Sequence, residues 1–155
     1  MSLKRSILKV QAALGNIRAM EKLHVDTHTE NIIIQVNGTK FAQSSSNEIY
    51  MDIVELAGYY YVKTIIIGSF HIKTWKGAEL LILGKNFELN LASDMQEIES
   101  DFSNVSNKSI TQVDFIIEEQ DIHKIDRSVI EKITVSSKKK TAHFEIMAYE
   151  EEEEE

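Results

Sequence analysis

Residues Gly58–Ala92 read GYYYVKTIIIGSFHIKTWKGAELLILGKNFELNLA, and this stretch decides the fold. Within Asn86–Leu91, Phe87, Leu89 and Leu91 alternate with Asn86, Glu88 and Asn90. Side chains of a strand point to opposite faces in turn, so this spacing predicts one dry face and one wet face. Phe70 and Ile72 against His71 and Lys73 repeat the pattern. Tyr59–Ile67 and Leu80–Leu83 are apolar on both faces, which predicts central strands covered on two sides. Gly68-Ser69, Lys76-Gly77 and Gly84-Lys85 punctuate the run, with glycine expected to supply the positive φ of short hairpin turns. Trp75 breaks the alternation beside a turn and is expected to cap the end of the core.

Working outward, Asn31–Val36, Asn37-Gly38 and Thr39–Ala42 read as a hairpin, because Asn-Gly accepts both positive φ angles of a type I′ turn. Ile32, Ile34 and Val36 would be its buried set. Gln43–Asn47 is a serine-rich loop. Glu48–Leu56 returns to strand with Ile49, Met51 and Ile53 on one side, and Ala57-Gly58 turns into the central run. By alternation, Tyr59 and Tyr61 share a face and Tyr60 lies opposite; such rings are expected in the core or at a sheet edge, their hydroxyls reaching water.

Ser93 and Gln96 have capping-box spacing, and Met95, Ile98 and Phe102 fall on one stripe, which predicts a short acidic helix. Ile110–Ile117 is a strand with Val113, Phe115 and Ile117 inward. Ile122 and Ile125 predict one or two helical turns within Glu118–Asp126. Ser128–Val135 and Thr141–Ala148 form a last hairpin, with Lys138–Lys140 at its tip as a solubilising turn.

At the other end, Leu3, Ile7, Val10, Leu14 and Ile17 step by alternating fours and threes, an apolar seam on a helix over residues 3–23. Lys4, Arg5, Lys9, Arg18 and Lys22 lie off the seam. The expectation is that the seam docks on the sheet. A helix–helix contact between copies and attachment to an anionic membrane are the alternatives. No Trp or Phe on the apolar side speaks for the membrane.

Composition narrows the function classes. The chain has 155 residues, consistent with one domain over 1–149 and a disordered acidic stretch over 150–155. It has no cysteine, which excludes thiolate catalysis, disulfides and cysteine-bound zinc and fits a reducing, cytoplasmic setting. It has no proline, so turns rely on Gly, Asn, Asp and Ser. Net charge is −8, spread unevenly: Met1–Leu23 carries five basic residues against Glu21 alone, while Glu150–Glu155 is wholly acidic. An acidic body argues against a phosphate-backbone partner, so no nucleic acid is expected. No apolar run reaches the ~20 residues of a membrane-spanning helix, so no membrane span is expected either.

One chemical motif stands out. If His24–Glu30 is extended, His24, Asp26, His28 and Glu30 share a face, two imidazoles and two carboxylates of the kind that ligate zinc. Successive members of such a column are about 6.8 Å apart, too far for all to meet one ion unless the backbone bends. The plainer reading is a solvated face at a helix-to-strand junction. No phosphate loop, dinucleotide-binding glycine motif, nucleophile elbow or metalloprotease motif occurs. The sequence therefore assigns no catalytic, cofactor or metal residue.

The expected fold is α+β and mainly antiparallel β: about eight to ten strands in a barrel or two-layer roll, the N-terminal helix on one face and one or two short helices besides. The expected function is a non-catalytic protein-interaction or assembly module, possible partners being another protein or a second copy in a homo-oligomer. The alternative is a small-ligand or metal-binding β-barrel using His24, Asp26 and His28, with or without enzymatic activity.

Overall fold

A computed structural model describes residues 29–32 and 39–146. The expected N-terminal helix, the metal column His24, Asp26 and His28, the Asn37-Gly38 turn and the Glu150–Glu155 run lie outside those residues. Residues 29–32 are helical, so Asn31 and Ile32 do not open a strand as expected. Thr29 is buried, and Glu30 accepts a hydrogen bond from Ser103, which seats this turn near the loop before the ninth strand.

Eleven strands follow among the described residues: β1 (Thr39–Gln43), β2 (Asn47–Leu56), β3 (Tyr59–Gly68), β4 (Lys73–Thr74), β5 (Glu79–Gly84), β6 (Glu88–Ala92), β7 (Ile98–Glu99), β8 (Asp101–Phe102), β9 (Ser109–Ile117), β10 (Ile130–Ser137) and β11 (Lys140–Ile146). Nine of them form one antiparallel sheet in the order β6-β5-β10-β11-β1-β2-β3-β9-β8. The sheet curls until the residue after β6 meets β9, where Ser93 bridges Phe115 and the Asp94 amide donates to the Asp114 carbonyl at 2.9 Å. β1 helps the curl: its register with β2 shifts between Lys40 and Ala42, and such a bulge bends and twists the strand that carries it.

The inner face is built as cross-strand rows. Leu91, Leu80, Val135 and Ala142 form one, and Leu89, Ile82, Ile133 and Phe144 the next. Ile53, Val62 and Phe115 form a third on the far side. Val62, Leu80, Ile82, Phe115, Ile133, Val135 and Phe144 are wholly inaccessible. A curl of about eight strands is just wide enough for side chains to fill, and these fill it.

One mouth is occupied by a small ribbon. β4 pairs β7, and Phe70, Ile72 and Ile98 beside them join the core. The backbone there is held by buried hydroxyls. Ser100 Oγ accepts from the Ile72 amide at 2.9 Å and pairs with Thr111 Oγ1 at 2.7 Å. A short 3₁₀ helix, Glu119–Lys124, follows β9, where helical turns were expected.

Three expectations are corrected. No helix covers Ser93–Asn107: the Ser93 hydroxyl accepts from the Ala78 amide at 3.0 Å and donates to the Met95 carbonyl at 2.8 Å, so it caps nothing. β7 and β8 use strand partners instead, Ile98 turning inward while Met95 and Phe102 are exposed. Trp75 does not cap the core, being 67% exposed. Gly84 is not there for a positive φ; a Cβ on it would lie 2.1 Å from Cε1 of Phe87, whose ring needs the space. The turn that does use two left-handed residues is Ala57-Gly58, at φ 53° and 82°. Gly68 permits a close approach: a Cβ there would sit 2.1 Å from the Ser46 carbonyl oxygen.

Candidate interaction surface

The outward face of β2, β3 and β9 gathers exposed apolar side chains on adjoining strands. Because Ile49 and Met51 point inward, Tyr50, Asp52, Val54 and Leu56 point outward. The ten-residue pairing of β2 with β3 then sets Leu56 opposite Tyr59 and Val54 opposite Tyr61. The pairing of β3 with β9 adds Ile116 beside Tyr61. Leu56 and Tyr59 are each 67% exposed, Ile116 45% and Val54 37%. Scattered exposed apolar residues are ordinary, but these four, joined through half-buried Tyr61 on adjoining strands, form the kind of patch that marks an interaction site.

The rows beyond the patch are polar. Asp52, Lys63 and Asp114 lie side by side in the next outward row. Farther along, Ile67 and Ile110 are opposite one another and both buried. The expectation that Tyr59–Ile67 is covered on both faces therefore holds at the Ile67 end only. Tyr60, on the inner side, packs against the core as alternation requires. Its phenol is pushed up by the carboxylates of Glu119 and Glu55.

A polar cluster continues this outward face toward β1. Tyr50 Oη donates to Glu48 Oε2 at 2.8 Å, and Lys40 Nζ lies 3.1 Å from Glu48 Oε1. Burial, then the hydrogen bond to the Glu48 carboxylate, push the Tyr50 phenol up to about 12. Burial alone would raise Glu48, but the hydrogen bonds from Tyr50 and Lys40 outweigh it and hold the carboxyl below its ordinary value.

Elsewhere the chemistry is dispersed. His71 Nδ1 lies 2.9 Å from Ser109 Oγ, and His143 Nδ1 lies 3.1 Å from Thr134 Oγ1. His143, Glu145 and Lys132 border an open polar concavity of about 700 Å³ beside the Gln43–Ser45 bend. Among the described residues, no three His, Asp or Glu side chains gather as metal ligands would. No helix among them is long and apolar enough to cross a membrane.

The apolar patch was missed in the sequence because Tyr59, Tyr61 and Ile116 look like core residues until the inner face is known to be full. The usable signal was Val54 and Leu56, out of phase with Ile49, Met51 and Ile53. No protein-family model, no curated protein and no solved structure matches this chain.

Proposed function

We propose that this chain is a non-catalytic assembly module that self-associates through the outward face of β2, β3 and β9. The observation that carries the reading is the block of Val54, Leu56, Tyr59 and Ile116, exposed among the described residues, with half-buried Tyr61 between them. Its occupant is the apolar seam of Leu3, Ile7, Val10, Leu14 and Ile17 from a second copy.

Two features support that pairing. The seam needs an apolar partner, since a helix of this composition gains most of its stability by burying one face. Charge also matches: Lys4, Arg5, Lys9 and Arg18 flank the seam, while the row bordering the patch, Asp52, Lys63 and Asp114, is net acidic and Glu118 and Glu119 follow β9. Complementary rims of this kind set register and speed encounter more than they add affinity. Reciprocal exchange of the segment between two copies would satisfy both surfaces and close the assembly.

Light scattering on the full chain tests this. The expected mass is twice that of the 17.7 kDa chain. Leu14→Asp is expected to halve it while circular dichroism still reports β-structure. A wild-type monomer, or a Leu14→Asp protein that stays dimeric, overturns the reading.

A further inference from the structure

An acidic chain carries a basic groove. Lys73, Lys138, Lys139 and Lys140, with Thr74 and Ser137, border a concavity of about 230 Å³. Ser137 Oγ donates to the Gly77 carbonyl at 3.3 Å and Lys140 Nζ to the His71 carbonyl at 2.5 Å, which pins the β10–β11 hairpin tip beside the 71–77 segment. Lys73 shares its charge with Glu99 at 3.8 Å. Lys138 and Lys139 make no ion pair among the described residues. Lys138 also holds φ 51°, a left-handed turn position that glycine or asparagine occupies more readily. A lysine there, beside two more, concentrates positive charge where the turn itself does not ask for it.

We infer that this groove binds a run of carboxylates, and that its occupant is Glu153–Glu155 of the same chain. The inference rests on charge and reach, independently of the assembly reading. β11 runs from the tip at Lys140 to Ile146, a span of about 20 Å at roughly 3.3 Å per residue. Glu150 lies four residues beyond Ile146 and Glu155 nine. At ~3.3 Å per residue, Glu150 reaches only about 13 Å back along β11, whereas Glu153–Glu155 reach about 23–30 Å. Only the far half of the glutamate run returns to the lysines. Tethering raises its effective concentration to the order of millimolar, so contacts too weak to matter between molecules suffice within one. The tethered glutamates then compete with any acidic peptide for the groove.

Trp75, the sole tryptophan, is exposed in the segment that borders the groove and serves as reporter. The test compares nitrogen-15 NMR spectra of the full chain with those of E153Q/E154Q/E155Q at low salt. The expected result is a shift of the Trp75 indole and the Lys138 and Lys139 amide signals. Roughly 0.5 M salt, which screens charges beyond a few ångströms, is expected to move the wild-type signals the same way. A hexaglutamate peptide added to the triple variant is expected to restore the wild-type positions, and K138E/K139E in that background to prevent the restoration. Identical spectra for wild type and triple variant overturn the proposal. So does a triple variant that ignores hexaglutamate but binds anionic vesicles, an outcome that assigns the lysines to a lipid surface.

Discussion

Leu56 faces Tyr59 directly across the Ala57-Gly58 turn, and each keeps two-thirds of its surface in water. The pair closes a long hairpin that is otherwise well buried on its inner side. Replacing both, Leu56→Lys with Tyr59→Lys, is expected to leave folding stability within about 0.5 kcal/mol of wild type, as for surface positions generally. Self-association is expected to fall at least tenfold. Sedimentation velocity read alongside thermal unfolding separates the two effects. A large loss of thermal stability with unchanged association would mean that the pair serves the fold.

The turn itself carries a correctable strain. Ala57 sits at φ 53°, where an L-residue with a Cβ is disfavoured by roughly 1–2 kcal/mol. Ala57→Asn or Ala57→Gly is expected to stabilise the protein by about 0.5–1 kcal/mol, since both residues tolerate a type I′ position. Urea denaturation should show a raised midpoint with an unchanged slope; a lowered midpoint would refute the turn assignment.

Gly84 and Phe87 form a second coupled pair. The Phe87 ring occupies the space of the missing Cβ, and the Gly84 amide donates to the Phe87 carbonyl at 2.9 Å. Gly84→Ala is expected to cost about 1–3 kcal/mol by displacing the ring. In a Phe87→Ala background the same change should cost much less, and the double-mutant cycle measures the difference. Equal costs in both backgrounds would show that the ring is not what requires glycine.

Glu48 and Tyr50 make stability depend on pH at both ends. The Glu48 carboxyl is held below its ordinary value of 4.5, so its contribution is present above that pH and lost as pH falls through the folded value. Glu48 is partly exposed, and solvent screening keeps the effect small. Tyr50 has the opposite sense: its contribution is full below pH 10 and lost as pH rises through about 12. Ultraviolet titration should find two phenols, Tyr60 and Tyr50, ionising after an unperturbed tyrosine, with Tyr50 supplying the step near pH 12. Tyr50→Phe should remove that late step and move the acid limb of unfolding to higher pH. An acid limb that stays in place would mean that the Tyr50 hydroxyl does not hold Glu48.

Much of the sheet was legible because its strands alternate. β9 buries Val113, Phe115 and Ile117 and exposes Gln112, Asp114 and Ile116, as period-two spacing requires. β6 and β2 behave likewise at Leu89 and Leu91 and at Ile49 and Met51. Reading failed where neighbours outside the local window decided the matter. Ser93–Asn107 carries helical spacing, but the carbonyls and amides of β4 and β9 lie within reach and win the backbone. Trp75 looked like core, yet Phe70, Ile72 and Ile98 already fill that mouth.

The candidate surface shows the same division more sharply. Outward placement of Val54 and Leu56 follows from their phase against Ile49 and Met51, a property of the covalent chain alone. That Tyr59, Tyr61 and Ile116 join them depends on the register of β3 with β2 and β9, fixed by which apolar sets fit together inside the curl. Likewise, three consecutive lysines are visible in any listing of residues 138–140, whereas the groove exists because folding carries the 71–77 segment alongside them. Alternation is local and is written in the order of residues. Register and neighbourhood come from packing side chains of distant segments into one interior, and only the folded chain settles them.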